Sequence, residues 1–316
     1  MGVSFISVGL FAVNLGLYNS QKINDPLRWW VCTAIAVAPA WIAGIVEDVT
    51  HRVPPGLRLL ATATSAVLLA IFLELRVVRT DFPILDSLLG RYSFLGTSLA
   101  ALAILAMTHA FNIIDGYNGL ASTVTMMILI VLAYVAMKVG DWHYMAVFVI
   151  LLGATIAFWF WNYPRGLLFI GDGGAYLWGI VIAVGSIALV QRNEAVSPWF
   201  PVLLLAYPIL EVVFSTYRKI ARGQSPSIAD ALHLHQLIYR RIVRATIASN
   251  SARQMLLRNS RTSPYLWGVA IIAVMPAMLF WQNTEILIPF FVGFAFLYVI
   301  LYVSIVRFKV PKWLKR

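Results

Sequence analysis

The sequence predicts an all-α, polytopic integral membrane protein with about ten transmembrane helices, and three observations carry that prediction. Of 316 residues, 61 % are hydrophobic and 12 % charged, with a mean hydropathy of +0.82, whereas soluble domains hold about 25 % charged residues. The apolar residues come in uninterrupted runs of 17 to 22, the length that a hydrocarbon core of about 30 Å asks of a helix. The alternating segments of about ten residues that a membrane β-barrel needs do not occur. Separate soluble domains find no room, so residues 1–316 are expected to form one transmembrane domain.

Ten runs follow one another along the chain. The first, Gly2 to Tyr18, has no Lys or Arg before Phe11; lacking the basic start of a cleavable signal, it is expected to be a retained helix. Trp29 to Val46 and Leu57 to Leu75 are separated by a break holding Glu47, Asp48 and two prolines. Tyr92 to Phe111 and Gly119 to Met137 flank a break rich in Asn, Asp and Gly. Tyr144 to Trp161 and Gly174 to Val190 flank another around Asp172. Pro198 to Tyr217 leads into the longest polar stretch, residues 218–264, expected to be a loop. Tyr265 to Trp281 and Glu285 to Val306 complete the set. Trp29, Trp30, Trp142, Trp199, Trp281 and Trp313 fall at run ends, where an aromatic interface belt belongs. The lone Cys32 excludes an intramolecular disulfide and any Cys-rich metal or redox motif.

Ten crossings put the breaks after even-numbered runs on one face. That face carries 17 Lys and Arg against 7 on the other, while the acids divide six and seven. The whole formal charge of +11 therefore sits on one side, which the positive-inside rule assigns to the cytoplasm.

Four polar motifs share this cytoplasmic face. They are Gly44-Ile45-Val46-Glu47-Asp48, followed by Arg52 and Arg58; Phe111-Asn112-Ile113-Ile114-Asp115-Gly116-Tyr117-Asn118-Gly119-Leu120; Phe169-Ile170-Gly171-Asp172-Gly173-Gly174; and Asp230-Ala231-Leu232-His233-Leu234-His235-Gln236. Ionisable groups at membrane depth are costly and point to a functional site. Carboxylate oxygens suit Mg²⁺, which takes one or two of them and keeps its other positions for water and substrate phosphate. A helix beginning at Gly174 would offer its N-terminus to a phosphate. Glu47, Asp48, Asp115 and Asp172 are thus the candidate catalytic acids of a phosphate site assisted by Mg²⁺, with Mn²⁺ the alternative.

Each motif has an ordinary reading beside this one. A single Asp-Gly at a helix break is a turn, and Asn112 or Asn118 alone is a cap. His109 is expected to be an interhelical hydrogen bonder and Glu211 a structural pairing partner. Arg240, Arg241 and Arg244, interleaved with Leu237, Ile238, Ile242 and Val243, read first as a surface helix held by anionic lipid and second as a contact for an anionic substrate. Only the conjunction of four motifs on one face outweighs these readings.

In their order and spacing the motifs resemble the polyprenyl-phosphate N-acetylhexosamine-1-phosphate transferases, in particular those that start bacterial O-antigen or related surface polysaccharides. The resemblance runs from about Gly2 to the end of the chain. It implies transfer of an amino-sugar 1-phosphate from a UDP-sugar to undecaprenyl phosphate, with release of UMP, at the cytoplasmic face of the bacterial inner membrane. It implies that Asp172 holds Mg²⁺ against the donor diphosphate and that Asp48 orients or deprotonates the lipid phosphate. Asn112 and Asp115 match donor-site and metal-proximal positions, and His233 and His235 match residues that contact donor phosphates. Asn118 and Arg240 are further substrate-binding candidates. The expected partners are the UDP-amino sugar, undecaprenyl phosphate, membrane lipid and a second copy of the chain in a homodimer; no nucleic acid is expected.

The chain departs from the family's pattern at Glu47, Asn118 and Gly174, where Asp, Asp and Ser are more usual, and at Gln236, where a third His is common. It is also expected to lack the family's first helix and its glycine-pair loop. Two other readings remain at this level, a ten-helix transporter or flippase and the peptidoglycan-type member of the same family. Transporter sites lie near the bilayer midplane in broken helices, whereas these acids gather at one interface.

Overall fold

A computed structural model describes residues 25–223, 232–243 and 251–307. The apolar run Gly2 to Tyr18, Asp230 of the fourth motif, Arg244 and Trp313 lie outside the described residues. The elements are α1 (Pro26–Thr50), α2 (Pro55–Phe72), α3 (Pro83–Arg91), α4 (Ser93–Ile114), α5 (Leu120–Lys138), α6 (Trp142–Asn162), α7 (Gly171–Arg192), α8 (Trp199–Leu204), α9 (Ala206–Ala221), α10 (Leu234–Ile238) with a π-turn over Tyr239–Val243, α11 (Ala252–Leu279) and α12 (Thr284–Val306). No strand occurs among the described residues. Eight of these helices, α1, α2, α4, α5, α6, α7, α11 and α12, are long and apolar enough to cross a membrane.

Helix starts follow from local chemistry. Proline opens α1, α2 and α3, a position where its missing N–H would have had no partner. The Asp25 carboxylate caps α1 by accepting from the Arg28 N–H at 2.9 Å. The run Pro198 to Tyr217 does not form one helix but breaks at Leu205 into α8 and α9. Pro208 has no N–H to give the Leu204 carbonyl, and the ladder is interrupted there. The expected loop 218–264 is shorter than its polar composition indicates, because α9 continues to Ala221 and α11 begins at Ala252.

Helix α7 is the hub, with most of its side chains buried, and it packs on α1, α4 and α6. Contact is close because glycines face the neighbours. A Cβ on Gly44 of α1 would stand 2.4 Å from the Gly173 nitrogen, and one on Gly179 would stand 2.4 Å from the Met107 carbonyl of α4. Without a hydrophobic force between helices in lipid, such small-residue contacts do much of the association. Large apolar side chains on the periphery, among them Ile42, Leu60, Leu102 and Phe296, stay exposed and suit contact with lipid tails. The hub brings the starts and ends of α1, α2, α4 and α7 to one end of the bundle.

Candidate active site

Asp172 stands in the first turn of α7, which begins at Gly171 rather than at Gly174. The residue is the meeting point of four helices. Oδ1 accepts from Asn112 Nδ2 of α4 at 2.7 Å. Oδ2 accepts from Arg58 Nη1 of α2 at 2.8 Å and from the Tyr176 hydroxyl, one turn along α7, at 3.2 Å. From α1, Asp48 Oδ1 accepts from the backbone N–H of Asp172 at 2.7 Å, and its Oδ2 from that of Gly173 at 3.3 Å.

Asp48 is therefore the cap of α7. The helix N-terminus that the sequence offers to a phosphate is already engaged by this carboxylate, a correction to that expectation with a clear physical cause: an intramolecular anion is held there at no cost in association. The arrangement depends on Gly171, which has φ +68° and would, with a Cβ, place that atom 2.3 Å from Asp48 Oδ2.

Glu47 lies beside the cluster. Its Oε2 accepts from the Val53 N–H at 2.8 Å, folding the α1–α2 turn, while Oε1 lies 3.9 Å from Arg58 Nη1. Asp115 caps the end of α4. Burial, together with the charges of Asp172 and Asp48, pushes its carboxyl up to about 7. Two acids thus act on Asp115 while Arg58 bonds Asp172, and like charges of this kind are relieved by an added positive charge.

Among the described residues no three His, Cys, Asp or Glu side chains converge as a ready metal cage. Mg²⁺ does not need one, since it takes one or two carboxylates and fills the rest of its octahedron with water and phosphate. Asp172 and Asp115, oxygen donors under mutual repulsion, fit such an ion.

The other expected site residues divide. His235 is buried, its ring edge against Tyr117 at 5.7 Å between centroids, and a Cβ on Gly116 would stand 2.8 Å from its Nε2. Burial lowers the pKa of this imidazole to about 4, leaving it neutral at physiological pH. His233 stacks on His235 with centroids 5.3 Å apart and planes 7° apart. Arg240 is exposed on the π-turn and acts electrostatically on Tyr117, whose ring stacks on Tyr239.

Asn118 bonds three neighbouring segments, mostly through its backbone. Its N–H donates to Asn259 Oδ1 at 2.7 Å, its carbonyl accepts from the Ser263 hydroxyl at 2.6 Å, and its side chain bonds the Pro164 carbonyl at 3.4 Å. His109 bonds Thr62 Oγ1 at 2.9 Å, the interhelical role expected of it. Two residues outside the expected site set belong to the cluster, Arg58 and Tyr176. The sequence signal for Tyr176 was its spacing of four from Asp172, one helical turn. For Arg58 there was none beyond a basic residue after the first motif.

The family model described as glycosyl transferase family 4 matches residues 30–190, a span that contains Asp48, Arg58, Asn112, Asp115 and Asp172. The chain is similar to a probable undecaprenyl-phosphate N-acetylglucosaminyl 1-phosphate transferase of Bacillus subtilis, 29 % identical over 138 residues, which are 43 % of this chain and 38 % of that protein. It is similar to an undecaprenyl-phosphate alpha-N-acetylglucosaminyl 1-phosphate transferase of Thermotoga maritima, 26 % identical over 136 residues, 43 % of this chain and 40 % of the relative. A phospho-N-acetylmuramoyl-pentapeptide-transferase of Streptococcus thermophilus is 26 % identical over 216 residues, 68 % of this chain and 56 % of its own length. The chain thus spans between 38 and 56 % of these relatives.

Proposed function

The chain belongs to glycosyl transferase family 4, and on that premise we propose that it transfers an N-acetylamino-sugar 1-phosphate from a UDP-sugar to undecaprenyl phosphate, releasing UMP and starting an O-antigen or related surface polysaccharide. The observation that carries the reading is Asp172 at one end of a multi-pass bundle, bonded by Arg58 and Asn112, with Asp48 on its backbone N–H and Asp115 within its electrostatic reach. An apolar cavity of about 520 Å³, walled by α4, α7 and α9 through Met107, Ala183, Ile209 and Val213 and reaching Arg76 at the far end, supports an acceptor with a long apolar tail. The site end is read as the cytoplasmic side of a bacterial inner membrane, and the +11 charge supports the cytoplasmic part of that reading through the positive-inside rule.

An oxygen of the lipid phosphate attacks the β-phosphorus of the UDP-sugar. The bond between that phosphorus and the bridging oxygen breaks, and the electron pair leaves with UMP. A divalent cation held by Asp172 and Asp115 would neutralise charge on the donor diphosphate. The protein's own part is positioning and electrostatics, which supply most of the catalysis in phosphoryl transfer. Arg58 sets the Asp172 carboxylate and lends positive charge to two anionic reactants. Asn112 fixes the second Asp172 oxygen. Asp48 locks the start of α7, and so the position of Asp172, against α1.

Purified protein in detergent, given undecaprenyl phosphate, Mg²⁺ and a panel of UDP-amino sugars, is expected to form lipid-linked sugar and UMP in equal amounts with at least one donor. Asp172→Asn should lower that rate by about 10²–10³, the size expected when one electrostatic group at a reacting phosphate is removed. Full activity in that variant would overturn the role of Asp172. Wild-type protein that turns over none of the donors would overturn the activity itself.

A further inference from the structure

Glu211 sits inside α9 with its carboxylate fully buried, Oε2 lying 3.2 Å from His233 Nδ1. Such a charge costs several kcal/mol to place in a low dielectric unless a partner meets it. A partner here is the imidazole of the His motif, 22 residues further on. Tyr207 on α9 and Tyr298 on α12 both interact with the same carboxylate, and both rings are buried. The hydrogen bond to the carboxylate is the one with His233, while the two tyrosines lie close enough to act on it electrostatically.

A bond from His233 Nδ1 to Oε2 sets the ring's tautomer and its rotation about the Cβ–Cγ bond, turning Nε2 away from the carboxylate. The His233 ring lies parallel to that of His235 at 5.3 Å, so orienting the first orients the second. His235 in turn sits over Gly116, where a side chain would leave only 2.8 Å to Nε2. Its Nδ1 is buried without a hydrogen-bond partner among the described groups. Gly116 directly follows Asp115. A continuous line of contacts thus runs from an acid in the body of α9, through two stacked imidazoles, to the loop that carries a candidate metal ligand.

We propose that Glu211 is a positioning residue for donor binding: it orients the His233–His235 stack against the Asp115-Gly116 loop, so that the imidazole nitrogens meet the diphosphate of the UDP-sugar. This inference rests on the proposed transferase reading. It adds a residue buried beneath the site, on a helix outside residues 30–190, and explains why an acid is kept in an otherwise apolar segment. The Gln236 side chain supports the same stack by accepting from the His233 N–H at 3.3 Å.

The test uses the full chain in detergent with undecaprenyl phosphate, Mg²⁺ and UDP-N-acetylglucosamine, or the panel donor that wild type turns over best. Glu211→Gln should raise the KM for the UDP-sugar about tenfold, leave the KM for undecaprenyl phosphate unchanged, and weaken UDP binding by calorimetry to the same extent. Glu211→Asp, which keeps the charge, should recover part of the loss. His233→Asn, whose amide can still donate to Glu211 but cannot stack, should reproduce the donor KM effect even if Glu211→Gln folds poorly. Adding Glu211→Gln to His233→Asn should then cost little more. A uniform fall in kcat with both KM values and UDP affinity unchanged would overturn the proposal, leaving Glu211 a fold anchor. Wild-type protein without turnover on any donor would overturn both this inference and the transferase reading, whereas wild-type turnover with unchanged variants overturns this inference alone.

Discussion

The two ends of the bundle use the same residue types to opposite effect. At the far end, charged and polar groups tie loops together. The fully buried Asp141 meets Arg192 at 3.2 Å, Arg79 donates to the carbonyls of Asn193, Glu194 and Val196, and Gln191 bridges the Glu74 carbonyl and the Arg76 N–H. At the site end, Arg58 bonds Asp172, while Asp115, acted on by Asp172 and Asp48, is left with a raised pKa. Charge at a membrane interface marks a functional site only where its partners fall short. Where a cation meets the buried acid directly, as Arg192 meets Asp141, the same chemistry is a fastener.

Exchanging the roles of the two ends gives the largest effect. Asp172→Asn is expected to abolish most transfer while leaving the thermal unfolding midpoint within a few degrees of wild type. Asp141→Asn should do the reverse. Removing one member of a buried pair costs about 3–5 kcal/mol, here toward the lower end because Arg192 is 21 % exposed. Protein that survives solubilisation should keep its activity per folded molecule within about twofold. Paired melting curves and rate measurements decide it, and loss of specific activity in Asp141→Asn would erase the distinction between the ends.

Gly171→Ala probes how the site end is held. A left-handed backbone costs a residue with a Cβ about 1–2 kcal/mol, and the new methyl would displace the Asp48 carboxylate from the start of α7. Transfer should fall about tenfold with a modest drop in melting temperature. At the far end the cap is local: Asp141 caps α6 from its own side chain, and the positive φ there falls on Gly140, where a Cβ would meet nothing within 4 Å. Unchanged activity would mean that Asp48 does not need to cap α7 for Asp172 to work.

This division between the ends was only partly legible in the sequence. The runs from Trp29 to Val46 and from Glu285 to Val306 became helices close to their expected bounds because twenty apolar residues in lipid have few alternatives. The break at Leu205 was written in Pro208, yet Pro39, Pro276 and Pro289 lie inside unbroken helices, so proline alone does not locate a break. Helix α3 went unforeseen, its nine residues being too short to register as an apolar run. In the site, Asp172 and Asn112 were legible as motif residues and do meet. The involvement of Arg58 was not, because a contact spanning 114 residues depends on how α2 packs against α7. Nor could spacing reveal that Asn118 bonds Asn259, Ser263 and Pro164 while Asn112, six residues earlier, bonds Asp172.

The smallest effect concerns acid, and it separates the ends by pH rather than by mutation alone. Buried His235 has a pKa near 4 in the folded chain, against about 6.5 when unfolded. Between those values the unfolded chain binds a proton that the folded chain refuses, so this residue's contribution to stability is complete above about pH 6.5 and is lost as pH falls toward 4. The upper limit, from 1.36 kcal/mol per pKa unit, is about 3 kcal/mol. Asp115, with its raised pKa, runs the other way: its folded form takes up a proton as pH falls through about 7, which favours the folded state. The two oppose each other in wild type, so the informative quantity is a difference. His235→Gln, neutral at every pH, should lose less stability than wild type between pH 7 and 5, by about 1–2 kcal/mol. Introduced into Asp141→Asn protein, the same substitution should give the same difference, since the two ends share no charge partner. A larger or smaller difference in that background would show that the fastened end and the working end are energetically coupled through the hub helix.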